Sequence, residues 1–159
     1  MEIQTLAQML DQVESMVHDQ MRERGKILPF LLCQKQDGET MMIGYNARPT
    51  ATQRRIQALL IGNELRELDV VTYVVAHEVW MDFAGTLEAA KSLGPPSKSP
   101  DRSEGVMIQA HSVIASQTRI FRIDRPNRKP KLTNISEDDD RIHPGGTWDN
   151  LLMDPNSVH

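Results

Sequence analysis

Val70-Val71-Thr72-Tyr73-Val74-Val75-Ala76-His77-Glu78-Val79-Trp80-Met81-Asp82-Phe83 is the most strand-like stretch of the chain. It is dense in the β-branched and aromatic side chains that fit a pleated surface. Its period of two places Val71, Tyr73, Val75, His77, Val79, Met81 and Phe83 on one face, and Thr72, Glu78, Trp80 and Asp82 on the other. Just upstream, Thr50-Ala51-Thr52-Gln53 has the pattern of a helix capping box. Ile56, Leu59, Leu60, Leu65 and Leu68 follow as the apolar stripe of a helix running to about Asp69. Further back, Ile27–Cys33 and Thr40–Tyr45 are short apolar runs flanking Asp37-Gly38, the strongest short-range signal for a hairpin. Pro29 lacks an amide donor and marks a strand start or an edge.

At the amino-terminal side, Ile3, Leu6, Leu10, Val13 and Val17 recur at spacings of three and four, and Met9 and Met16 widen the stripe. This predicts a first helix, ended by Gly25 in the position of a left-handed cap. Packing on the protein's own sheet is the favoured use of that stripe, and a coiled-coil dimer is the alternative. Downstream of the central strand, residues 84–104 read as a long proline- and serine-bearing loop. Val106–Ala115 and Thr118–Arg125 then alternate as two strands around a turn at Ser116-Gln117. The order is helix, strand, strand, helix, then three strands. Short connections favour antiparallel neighbours, which predicts an α+β two-layer sandwich of about five strands with two helices on one face. The expected domain spans residues 1–135, and residues 136–159 form an acidic, partly flexible tail.

The composition, 39% hydrophobic and 25% charged over 159 residues, is that of one globular domain. No apolar run is long enough for a membrane span, and the first residues carry Glu2, Asp11, Glu14 and Asp19 rather than a secretory leader. A soluble, cytoplasmic protein with no membrane contact is expected. The single cysteine, Cys33, forms neither an internal disulfide nor a thiolate metal site and reads as a buried small hydrophobe. The net charge of −4 is unevenly laid out. Arg119, Arg122, Arg125, Arg128, Lys129 and Lys131 form a basic segment, and the run Glu137-Asp138-Asp139-Asp140 follows it.

His77-Glu78 begins like a zinc-protease helix, but position 81 is Met and the segment is a strand, so the two residues point to opposite faces. His77 reads first as a core histidine. A metal site shared with His111 across paired strands is the alternative. Glu78, Trp80 and Asp82 share a face where a large aromatic beside carboxylates suits recognition. In the tail, Trp148, Leu151 and Leu152 have the spacing of a short amphipathic helix capped by Thr147, one that lays its anchors into a groove of this protein, of a second copy or of a partner. The basic segment could meet phosphates, though Phe121 is its one aromatic. No phosphate-binding loop, nucleophile elbow or cofactor motif is present, so no catalytic residue and no cofactor is assigned.

Two phrases, Glu78-Val79-Trp80-Met81 and Pro96-Ser97-Lys98-Ser99-Pro100-Asp101-Arg102-Ser103-Glu104, resemble a set of small uncharacterised bacterial and phage or prophage proteins over roughly residues 70–125. The resemblance implies bacterial or phage provenance and carries no activity. It directs attention to Asp101, Arg102 and Glu104 as a loop beside Trp80. Taken together, these features favour a non-enzymatic accessory protein that binds another macromolecule, a protein in the first instance. The nominated surfaces are Glu78, Trp80 and Asp82 with Asp101, Arg102 and Glu104, and the anchors Trp148, Leu151 and Leu152. The alternatives are an enzyme using His77, Glu78 and His111, and nucleic-acid binding through Arg119 to Lys131.

Overall fold

The computed structural model describes residues 4–81, 103–135 and 148–153. The elements run α1 (Leu6–Arg24), β1 (Phe30–Lys35), β2 (Thr40–Gly44), α2 (Ala51–Glu67), β3 (Val70–Met81), β4 (Ser103–Ser112), β5 (Ser116–Asp124) and β6 (Lys131–Asn134). The strands form one six-stranded sheet in the order β2-β1-β3-β4-β5-β6, and every neighbouring pair is antiparallel. The fold is therefore α+β, as the sequence predicts, with one strand more than expected. The added strand is β6, a short edge piece that begins directly after Pro130, where the missing amide is tolerated.

The expected placement of both helices on one face is corrected. Helix α1 seats Met9, Leu10, Val13, Val17 and Met21 against Phe30, Leu32, Val74, Ala76, Val106, Ile108 and Phe121. Helix α2 seats Ala58, Ile61 and Leu65 against Leu31, Cys33, Tyr73 and Val75. Since side chains alternate along a strand, the helices lie on opposite faces, and the body has three layers. The physical reason is that β1 and the first half of β3 are apolar on both sides, so each side needs a cover.

Local chemistry sets the boundaries. Thr5 caps α1 by accepting from the Gln8 amide, and the Gln8 side chain returns the bond to the Thr5 amide, a capping box the sequence reading does not single out. Gly25 closes that helix at φ 72°. The β1–β2 hairpin turns at Gly38, whose φ of 90° only glycine adopts freely. The β4–β5 turn lies earlier than expected. The Ser112 amide donates to Ala115 O and the Ser112 hydroxyl accepts from Ile114 and Ala115 amides, so the turn centres on Val113-Ile114 and not on Ser116-Gln117.

The segment 148–153 is not a detached tail. Trp148 and Leu151 are buried in the second core, on the α2 side of the sheet. The segment forms turns rather than a helix, because Asn150 takes φ 59°, a left-handed conformation that no right-handed helix continues through. Thr147, its expected cap, lies outside the described residues.

Candidate functional site

The stripe that α2 turns toward the sheet is Ala58, Ile61, Gly62 and Leu65. Two of these residues are the smallest available, so the seat is shallow. Gly62 lets the carboxy-terminal segment come close: a Cβ built there would stand 3.1 Å from Leu151 O. Ile56, Leu59 and Leu60, expected as part of the buried stripe, are instead 52%, 47% and 64% exposed. They sit about 100° or more around the helix from the shallow seat. Met42 on β2 is also half exposed, but it pairs with Leu32 and so lies on the α1 side of the sheet. Scattered apolar exposure is ordinary, but Ile56, Leu59 and Leu60 are concentrated on one helix.

Between that helix and strand runs a cleft of about 460 Å³ lined by Ile43, Gly44, Tyr45, Arg48, Gln53, Ile56, Gln57, Leu60 and Ile61. Its wall is β2, an edge strand. The Lys35 amide donates to Glu39 O and the Tyr45 amide donates to Pro29 O, so the odd-numbered residues 39 to 45 turn their backbone groups toward β1. By the alternation of an antiparallel ladder, Thr40, Met42 and Gly44 direct theirs outward. A row of backbone donors and acceptors thus stands beside an apolar groove. Residues 40–63 contain Arg48, Arg54 and Arg55 and no acid. None of the three is in an ion pair among the described residues.

Of the sheet-face and loop residues nominated from sequence, Glu78 and Glu104 are engaged within the chain. Glu78 accepts from the Ile27 amide at 2.7 Å, tying β3 to the link after α1. Glu104 pairs in register with Trp80 and accepts from Arg125 Nε at 2.8 Å, and Arg125 also donates to Gly25 O. Trp80 remains 44% exposed at the far end of the same sheet face. Asp82, Asp101 and Arg102 lie outside the described residues.

Trp148 packs against Tyr45 with ring centroids 4.7 Å apart. The Tyr73 hydroxyl donates to Trp148 O and accepts from the Leu151 amide. Arg66 donates to Leu151 O at 2.6 Å and to Met153 O at 3.2 Å. Trp148 and Leu151 are therefore spent within the chain, with Leu152 half-buried alongside. Burial raises the Tyr73 phenol well above its ordinary value, so it stays a neutral donor and acceptor.

His77 and His111 share a sheet face but not a site. His111 pairs with Tyr73, and His77 pairs with Met107. The histidines are thus four positions apart along the ladder, roughly 13 Å, too far for one metal ion. The alternative of a cross-strand pair is not realised, because the strand register offsets the two residues. The His111 ring stacks on Tyr73 at 5.0 Å, and its Nε2 lies 3.6 Å from Asp149, beyond hydrogen-bond length. Burial lowers both imidazoles, an effect that Asp149 opposes at His111 and the Glu78 carbonyl opposes at His77. Among the described residues no group of three or more His, Cys, Asp or Glu could hold a metal ion. Burial, with a smaller contribution from Glu64, raises the Cys33 thiol to about 12, which removes it as a nucleophile near neutral pH.

The basic segment is divided. Arg119 contacts Asp11 at 2.7 Å and Glu14 at 3.6 Å on α1, Arg122 pairs with Asp124, and Arg125 pairs with Glu104. Arg128, Lys129 and Lys131 make no ion pair among the described residues, and Lys129 and Lys131 stand with Arg22 and His18 around a second cleft. Of the nominated phosphate-binding set, Arg119 and Arg125 hold helix and strands together, and Arg122 is paired within its own strand.

No helix among the described residues is long and apolar enough to cross a membrane. Comparisons with family models, with curated proteins and with solved structures give no match.

Proposed function

We propose that this chain is a non-enzymatic accessory protein that works by binding another protein, and that the binding surface is the cleft between α2 and β2. The observation that carries the reading is the exposure of Ile56, Leu59 and Leu60 on a helix whose opposite side is seated in the core. Leaving these three large apolar side chains about half exposed forgoes roughly 0.7–2 kcal/mol of burial for each, which a partner would recover. A central cluster of apolar anchors with a polar rim is how protein interfaces concentrate their energy. The surfaces nominated from sequence are weaker supports, since Glu78, Glu104, Trp148 and Leu151 already serve the chain itself.

A nuclease-treated pull-down with the full chain and its Leu60→Asp variant tests the reading. A stoichiometric protein captured by the native chain and lost from the variant, at equal melting temperature, is the expected result. Equal capture by both would move the binding surface away from α2. Binding that collapses with salt and follows Arg128, Lys129 and Lys131 would replace it with nucleic-acid recognition.

A further inference from the structure

Resting on that reading, the geometry points to the partner's form: an extended protein segment, acidic between its apolar residues, that adds to the sheet as a seventh strand beside β2. Three observations converge on one side of the molecule.

The first is an edge beside which no strand lies among the described residues. Thr40, Met42 and Gly44 present three backbone amides and three carbonyls at the register of a strand ladder. Exposed edges template strand addition, and natural sheets blunt them with charge, proline or a bulge. The five residues of β2, Thr40-Met41-Met42-Ile43-Gly44, carry neither charge nor proline, and their pairing with β1 is regular. At the opposite edge, β6 begins with Lys131 directly after Pro130. One edge is blunted and the other is not.

The second is the groove. Side chains of an added strand alternate, so every second one would face the α2 side and meet Ile56 and Leu60. Main-chain pairing would give affinity there, and the groove would select apolar residues at alternate positions.

The third is charge. Arg48 lines the groove, Arg54 and Arg55 stand on the first turns of α2, and no acid lies between residues 40 and 63. This potential complements a segment bearing Asp or Glu. It also argues against a second copy as the occupant, because two copies pairing edge to edge would bring like-charged rims together. A lipid surface would match the apolar and basic groups but would leave the outward amides of β2 without partners, which is costly for polar backbone groups in hydrocarbon.

The test selects a phage-displayed library of random 12-residue peptides on the immobilised full chain, with removal of sequences that also bind the Leu60→Asp variant. The expected binders are net acidic, with apolar residues at alternate positions. A soluble copy of the best binder, added to the ¹⁵N-labelled full chain, should slow amide exchange at Thr40, Met42 and Gly44 at least tenfold. Exchanging its acids for lysine should weaken binding at least tenfold. Basic or uncharged binders would overturn the charge assignment. Binders spaced as a helix, shifting Ile56 and Leu60 without protecting the three amides, would overturn the strand while leaving the α2 surface in place as a protein-binding site. No enrichment over Leu60→Asp would overturn both. Concentration-dependent dimerisation abolished by Met42→Lys, or sedimentation with phosphatidylserine vesicles lost in Leu60→Asp, would assign the surface to a second copy or to lipid instead.

Discussion

The two helices are of similar length and both carry an apolar stripe, yet they are used differently. α1 puts five apolar side chains, Met9, Leu10, Val13, Val17 and Met21, into a core spanning four strands. α2 puts Ala58, Ile61, Gly62 and Leu65 against the sheet and leaves Ile56, Leu59 and Leu60 outside. The buried stripe of α1 is made of large residues, and that of α2 is half alanine and glycine. A helix that seats two large and two small residues and leaves three large ones about half exposed is anchored with only part of its apolar content, and the remainder is available for another surface.

The sharpest way to break that contrast is a matched pair of truncations. Leu10→Ala should cost about 2–5 kcal/mol of stability in chemical denaturation, because it opens a cavity in a packed core. Leu60→Ala should stay within about 0.5 kcal/mol of the native chain. Equal losses would mean that the outer side of α2 is packed after all.

Tyr73→Phe comes next in size. It removes the hydroxyl that serves both Trp148 O and the Leu151 amide, and leaves those buried backbone groups without that partner. The expected cost is about 1–3 kcal/mol, with the change in amide exchange concentrated at residues 148–153 and α1 unaffected. Loosening of α1 to the same degree would show that the two faces are not energetically separate.

A smaller effect is expected from acid. Burial holds His77 and His111 below the ordinary imidazole value, so on acidification the unfolded chain takes up protons before the folded one does. Their contribution is fully present above about pH 6.5 and is lost as pH falls below it. The denaturation midpoint should therefore drop between pH 7.5 and pH 5.5, and His111→Gln should flatten the drop. An unchanged profile in that variant would assign the acid sensitivity elsewhere.

The smallest perturbation is chemical labelling of Cys33. Its thiol is buried under α2 and raised to about 12, so iodoacetamide at pH 8 should modify it only when the second core opens. Tyr73→Phe should speed that labelling and Leu60→Ala should not.

Much of the architecture was legible because it is local. The period of Leu6 to Val17, the Asp37-Gly38 turn and the alternation from Val70 onward each specify their own segment. What escaped depends on contacts distant in sequence. Periodicity identifies Ile56, Leu59 and Leu60 as one apolar side of α2, but not whether anything comes to rest on it. The run Phe30-Leu31-Leu32-Cys33 held an unused clue, since apolar residues without alternation mark a strand covered on both faces, and that placed the helices apart. The candidate site was harder still. An edge strand is defined by the absence of a neighbour, and only the sheet order reveals it. Trp148 and Leu151 are buried in the second core, and the positive φ at Asn150 that turns them there has no sequence signature beyond asparagine's tolerance of it.

The bond from Tyr73 to Trp148 also has a consequence in time. The two residues lie 75 positions apart, so at about 5–20 residues per second a ribosome needs roughly 4–15 s to supply the second after the first. The α1 side of the first three strands can close during that interval. The Tyr73 side waits for its last piece, and a nascent chain stalled before Trp148 would carry a half-roofed sheet into the reach of chaperones.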